Sequence, residues 1–308
     1  MKFVATSVVR GSRQGESHGG VFIIDPENQL VRQPIDWNTV DIEWRGRGWD
    51  RGLRGIAFDG DVIYIAASDE LFAYTPNFEP VGSWRSPYLK HSHEIAVYER
   101  TLFVTSTGYD SILGFNLDRQ RFDWAMHVQS RNNRFRAATF DPMSDDGPLM
   151  LNKLHLNNIH CEEAGMYVSG LKSGGMLHFN GQEINMAVTL PAGTHNARPF
   201  RDGVLFNDTS NDVLRYTGRG EGEEDRALEV PKFDPKQLGH LEAATDDIAR
   251  QGFARGLCVV NDGIVAGGSS PSTVTLYDLP ANEILFSVNL SRDIRNTIHG
   301  LEIWPYDS

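Results

Sequence analysis

Three histidines, His93, His195 and His299, have a type and spacing suited to chemistry. The first two lie 102 residues apart and the next two 104. Counted through the termini, His299 returns to His93 after another 102. Each occupies the same place in a recurring pattern, so three imidazoles would approach one axis from evenly spread directions. Neutral imidazoles arranged in this way form a Zn²⁺ or Fe²⁺ site with a position open to water or substrate. Such an ion polarises an oxygen or lowers the pKa of water. Arg54, Asn157 and Arg255 alternate with the histidines. The fork of an arginine matches a carboxylate or phosphate, so these three residues are expected to bind a small anionic substrate. His91 and His155 precede ring residues by two positions and should face the same way along a strand. They are candidate proton carriers, because imidazole titrates near neutral pH. Tyr109, in the loop Thr107-Gly-Tyr-Asp110, is a further candidate for acid catalysis.

The elements that carry these residues repeat six times. Each copy opens with a polar ring residue, continues through a turn signal and a β-rich run, and closes on a second run with an aromatic. Arg54-Gly-Ile-Ala-Phe leads to Leu71-Phe-Ala-Tyr74, and His93-Glu-Ile-Ala-Val leads to Ile112-Leu-Gly-Phe115. Asn157-Asn-Ile, His195-Asn-Ala and Arg255-Gly-Leu lead likewise to Phe179, Tyr216 and Tyr277. The sixth copy is split. Ile298-His-Gly-Leu-Glu-Ile-Trp304 is its opening strand, and Lys2-Phe-Val-Ala-Thr, Val21-Phe-Ile-Ile and Leu30-Val-Arg-Gln supply the remainder. The pattern predicts an all-β fold over residues 1–308: a single-domain six-bladed β-propeller of four-stranded blades, closed by pairing the N- and C-terminal strands. Closure of that kind removes exposed sheet edges.

Gaps between ring residues run 39, 64, 38, 60, 44 and, through the termini, 63 residues, so the repeating unit is a pair of blades. Two of the long gaps hold insertions, about Arg131 to Lys153 and Pro231 to Gly252, expected to be functional covers or disordered. The second includes Leu238-Gly-His-Leu-Glu-Ala-Ala-Thr-Asp-Asp-Ile-Ala249, which reads as a short helix.

Composition narrows the partners. A formal charge of −12 lacks the basic footprint that nucleic acids and anionic membranes require. The absence of a long apolar run points to a cytoplasmic protein. Cys161 and Cys258 form no metal-binding or disulfide pattern and read as buried free thiols.

His93-Glu-Ile-Ala-Val and Leu102-Phe-Val-Thr-Ser-Thr-Gly-Tyr-Asp-Ser-Ile-Leu-Gly-Phe115 resemble blades of the NHL-type six-bladed propellers. His155-Leu-Asn157, Thr194-His-Asn-Ala-Arg-Pro199, Phe253-Ala-Arg-Gly256 and Ile298-His-Gly-Leu-Glu-Ile-Trp304 resemble a bacterial propeller family and span nearly the whole chain. The histidine ring is similar to that of the peptidyl-hydroxyglycine amidating lyases. That resemblance implies zinc held by His93, His195 and His299, with Arg54 or Arg255 in place of the lyase arginine. The disulfides of those enzymes have no counterpart here, so the resemblance extends to metal geometry and not to substrate.

These residues predict a metal-dependent lyase or hydrolase acting on a small anionic substrate at the mouth of a central channel. Two other readings stand beside it: a histidine-ligated Fe²⁺ oxygenase, and a non-catalytic propeller that binds a ligand or serves as a scaffold.

Overall fold

The computed structural model describes residues 1–38, 52–132, 134–220, 224–244 and 249–306. The chain is an all-β, six-bladed β-propeller. The first blade runs Leu53–Asp59, Val62–Ala67, Glu70–Tyr74 and Pro80–Trp84. The second runs Ile95–Tyr98, Thr101–Ser106, Ser111–Asn116, Arg121–Arg131 and Arg134–Phe140. The third is Leu156–Glu162, Gly165–Gly170, Gly175–Phe179 and Ile184–Thr189, and the fourth Thr194–Phe200, Gly203–Asp208, Val213–Gly218 and Arg226–Glu229. The fifth is Leu257–Val259, Ile264–Ser269, Thr273–Asp278 and Glu283–Asn289. The sixth joins Asn296–Ile303 to Phe3–Val9, Gly20–Asp25 and Leu30–Asp36.

Sequence pattern explains the layering within each blade. Val62–Ala67 and Phe3–Val9 are nearly continuous apolar or small runs and are buried on both faces. The last strands, such as Leu30–Asp36 and Glu283–Asn289, mix polar and apolar residues and are largely exposed.

The chain divides into two compact units, Met1–Arg54 with Pro199–Ser308, and Gly55–Arg198. In the first unit, Phe3, Phe22, Ile24, Val274 and Ile298 form one core cluster, and Leu205, Tyr216, Val265 and Tyr277 belong to another. In the second unit, Leu71, Leu102, Leu113 and Phe115 pack together, as do Ile112, Leu156, Val168 and Leu177.

The expected pairing of terminal strands is present. Phe3 lies opposite Ile303 and Val9 opposite Asn296, with a bulge between Ala5 and Ser7. Thr6, at the bulge, uses its hydroxyl twice: it accepts from the Gly300 N–H at 2.8 Å and donates to the Arg54 carbonyl. A bulge thus turns one side chain toward the strand that carries a ring residue.

Two expectations change. The second blade has five strands, because Arg134–Phe140 pairs with the overlong strand Arg121–Arg131. Its alternation explains this, with Phe135 and Ala137 packing on the apolar cluster while Arg134 and Arg136 face out. The Pro231–Gly252 insertion forms short 3₁₀ turns at Pro235–Gln237 and Leu241–Ala243 where a helix was expected. Residues 245–248 of that expected helix lie outside the described residues.

Candidate functional site

Six of the predicted residues, His91, His93, Tyr109, His155, Asn157 and His195, belong to the unit Gly55–Arg198. His93 stands two residues ahead of the strand Ile95–Tyr98. Its backbone N–H donates to Thr105 Oγ1 at 2.9 Å. Its Nδ1 lies 2.8 Å from the His91 carbonyl and 2.9 Å from Thr107 Oγ1. The Thr107 hydroxyl gives its proton to the Leu156 carbonyl, so both oxygens facing Nδ1 act as acceptors. The network therefore assigns the proton to Nδ1 and the lone pair to Nε2. His195 repeats the arrangement, with Nδ1 3.2 Å from the Gly193 carbonyl. The two rings are 6.5 Å apart, and the His155 ring is 5.7 Å from that of His93.

Neighbouring groups hold this cluster. Asp110, buried and in the left-handed region at φ 47°, accepts from three consecutive backbone N–H groups: Lys153 at 2.6 Å, Leu154 at 3.1 Å and His155 at 2.8 Å. The carboxylate fixes the backbone that presents His155. Asn196 and Glu94, each following a ring histidine, are joined by a 2.9 Å hydrogen bond. A Cβ at Gly55 would come within 2.5 Å of the His93 carbonyl, so only glycine lets that strand lie against His93. The Asn157 side chain is buried, and its amide donates weakly to the Thr194 carbonyl at 3.4 Å. Its Oδ1 is buried and has no hydrogen-bond partner among the described residues. A Cβ at Gly108 would lie 3.5 Å from His91 Cδ2, which places that ring on the 107–109 turn. Tyr109 packs edge-on to Tyr88 at 5.3 Å and adds to the adjoining apolar cluster.

The other three predicted residues, Arg54, Arg255 and His299, belong to the first unit. Arg54 is the bulkiest fully buried side chain among the described residues, at 1 % exposure. Arg255 is 9 % exposed; its Nη1 donates to His299 Nε2 at 3.0 Å, and its guanidinium lies 4.5 Å from the centre of the Phe253 ring. His299 therefore also carries its lone pair on Nε2, where Arg255 engages it. Among the described residues, no group of three His, Cys, Asp or Glu side chains is placed to share one metal ion.

Solved structures show the same fold. The chain is similar to one in a nidogen/laminin complex, at 11 % identity and a TM-score of 0.61 over 98 % of both chains. It is also similar to a protein of unknown function from Bacteroides caccae, at 10 % identity and a TM-score of 0.57 over 99 % of both. A catalytically inactive virginiamycin B lyase from Staphylococcus aureus aligns at 9 % identity over 81 % of this chain and 73 % of that one. Its TM-score of 0.47 carries no argument about activity. No family model matches the chain, and no curated protein matches it. These likenesses speak to fold alone.

Sequence reasoning missed Asp110, Thr107 and Phe253. Asp110 and Thr107 lie in the loop that was singled out for Tyr109, and a carboxylate there was the available signal. Phe253 stands in the quoted segment Phe253-Ala-Arg-Gly256, but nothing there signalled that its ring meets the guanidinium of Arg10 as well as that of Arg255. No described helix is long and apolar enough to cross a membrane.

Proposed function

We propose that this propeller is a metal-dependent enzyme, a lyase or hydrolase acting on a small anionic substrate, with His93 and His195 as metal ligands and His155 as the proton carrier. One observation supports it most. Both proposed ligand histidines are tethered through Nδ1–H to a carbonyl two residues upstream, His91 and Gly193, which puts the lone pair of each ring on Nε2. Anchoring of the distal N–H by a backbone carbonyl is the usual way a metal-ligand imidazole is oriented. A Zn²⁺ or Fe²⁺ ion bound there would supply Lewis acidity. Asn157, whose buried amide oxygen meets no donor among the described residues, would accept a hydrogen bond from the substrate. Arg54 and Arg255 are the candidate partners for its negative charge. The third ligand nominated by spacing is His299.

A second reading follows from the Arg255–His299 contact. A histidine whose Nε2 already accepts from a guanidinium suits an anion site without metal.

Metal analysis of protein purified without added metal tests both readings. About one zinc per chain, lost in His195→Ala and retained in Arg255→Ala, supports the proposal. Iron in its place shifts it to an oxygenase. Substoichiometric metal in the wild type, or equal occupancy in both variants, overturns it in favour of an anion-binding or non-catalytic propeller. Occupancy in His299→Ala shows whether that residue is the third ligand.

A further inference from the structure

The connection between the strands Phe3–Val9 and Gly20–Asp25 brings a serine and a histidine together. Ser12 Oγ is hydrogen-bonded to His18 Nδ1, and that nitrogen is the one partner of the hydroxyl among the described residues. Backbone contacts fix both members. Val9 N–H donates to the His18 carbonyl at 3.1 Å, and the Val9 carbonyl accepts from Ser12 N–H at 3.4 Å. His18 N–H donates to the Trp37 carbonyl at 2.8 Å. Directly after His18, Gly19 has φ 110°, and an added Cβ would overlap the Ser7 carbonyl. The chain is thus pressed against the strand Phe3–Val9 at that point, with the His18 ring fully buried.

Ser12 itself stands at a boundary. It is 4 % exposed and lies in the wall of a cavity of about 740 Å³, within the range of small-molecule sites. The 240–243 turn and Arg295 supply other walls, and the Arg10 N–H donates to the Arg295 carbonyl at 3.0 Å. Gly239 N–H donates to the Arg292 carbonyl at 2.9 Å, and Ile294 N–H to the Gly239 carbonyl at 3.2 Å. Gly11 and Gln14 also line the cavity. Neither the Gly11 N–H nor the Gln14 amide group makes a hydrogen bond among the described residues. A serine hydroxyl is a weak nucleophile until an adjacent imidazole takes its proton. Nearby N–H donors stabilise the negative oxygen that forms at an attacked carbonyl. The remaining walls carry Arg13, Glu16, His240 and Glu242, which suit a polar guest rather than a long acyl chain.

We propose that Ser12 and His18 form a nucleophile and base for hydrolysis of a small polar carboxylic ester bound in this cavity. Ser12 Oγ adds to the ester carbonyl carbon as its proton passes to His18 Nδ1. The bond from that carbon to the alcohol oxygen breaks, the alcohol leaves with the proton, and the acyl group stays on Oγ. Water then adds to the acyl carbon and gives a proton to His18. The carboxylic acid departs as Oγ recovers that proton. Ester and water become acid and alcohol, with no further reactant. The site shares no residue with the proposed metal ligands and does not rest on that reading.

Two probes test this on the full chain: p-nitrophenyl acetate as substrate, in the presence of a metal chelator, and a fluorophosphonate that traps activated serines. Saturable hydrolysis and one adduct per chain, mapped to Ser12 by peptide mass spectrometry, are expected. Ser12→Ala should lower the hydrolysis rate at least about a hundredfold and abolish the adduct. The substitution removes one oxygen, so its circular dichroism should match that of the wild type. His195→Ala should keep both activity and adduct, so loss of metal and loss of the serine site are read apart. Absence of hydrolysis and adduct in the wild type overturns the proposal, as does an unchanged rate in Ser12→Ala. Hydrolysis that the chelator removes, with no adduct on Ser12, also overturns it and leaves the metal reading standing.

Discussion

The Arg255 guanidinium donates to Nε2 of His299 across 3.0 Å, joining a buried cation to the nitrogen that histidines most often offer a metal. Burying a cation is costly without an acceptor. The contact therefore stabilises Arg255 and fixes the tautomer of His299. A double-mutant cycle of Arg255→Ala and His299→Ala, followed by urea unfolding, should give a coupling of about 1.5–3 kcal/mol. A coupling below about 0.5 kcal/mol would show that the pair contributes no stability.

Asp110 satisfies three backbone donors of the chain leading into the third blade. Replacing it with alanine leaves those N–H groups to water or to nothing and should cost about 2–4 kcal/mol. Amide exchange at residues 153–155 should accelerate in Asp110→Ala well beyond the global change. Uniform acceleration across the protein would show that the carboxylate does not act locally.

Burial first, and the nearby Arg198 charge second, lower the His160 pKa to about 4 from an ordinary 6.5. Glu162, 3.7 Å away and 40 % exposed, is too well solvated to offset this. The unfolded chain therefore binds this proton more readily than the folded one. The resulting stability is present above pH 6.5 and is lost as pH falls from 6.5 toward 4, to a total of about 3 kcal/mol at most. His160→Gln should flatten that part of the pH–stability curve, as measured by urea midpoints at pH 7 and pH 4.5. Parallel curves for variant and wild type would exclude His160 as the source.

Burial pushes the Cys161 thiol up to about 12, and Cys258 is buried outright. With almost no thiolate on Cys161 at pH 8, and with Cys258 buried away from reagents, neither should react quickly with a disulfide reagent in the folded protein, and both should react at once in denaturant. Fast labelling of one thiol in native protein would contradict its placement.

Gly55 is the point where its strand passes the His93 carbonyl, and Gly268 similarly meets the Arg255 carbonyl at 2.3 Å from an added Cβ. Gly55→Ala should lower the melting temperature and reduce metal content together. Gly268→Ala should destabilise as strongly, since its Cβ would also meet Ile298. Unchanged metal content in Gly55→Ala would separate that glycine from the histidine site.

Much of the architecture was legible because blades repeat. The recurring ring residue and closing aromatic marked six units, and the split sixth copy predicted the Phe3–Ile303 pairing. The fifth strand of the second blade was not legible. Arg134–Phe140 alternates like a strand, but it lies in a stretch with no counterpart in the other copies, and a repeat-based reading takes such a stretch for a loop. The expected helix at 238–249 failed over Leu241–Ala243, where the chain folds into a single 3₁₀ turn and Gly239 instead pairs with Asp293.

Residue types and spacing alone determined which side chains recur at the head of each blade, because duplication preserves position along the chain. They could not say which atom of each side chain is spoken for. The lone pair of His93 is left on Nε2 by Thr107, fourteen residues on and across a turn, and that of His299 meets Arg255, forty-four residues earlier. A cavity in the first unit draws its walls from residues 10–14, 16, 240, 242–243 and 295. Hydrogen bonds and cavities depend on distances of a few ångströms between atoms remote in sequence, and only the packed tertiary structure sets those distances.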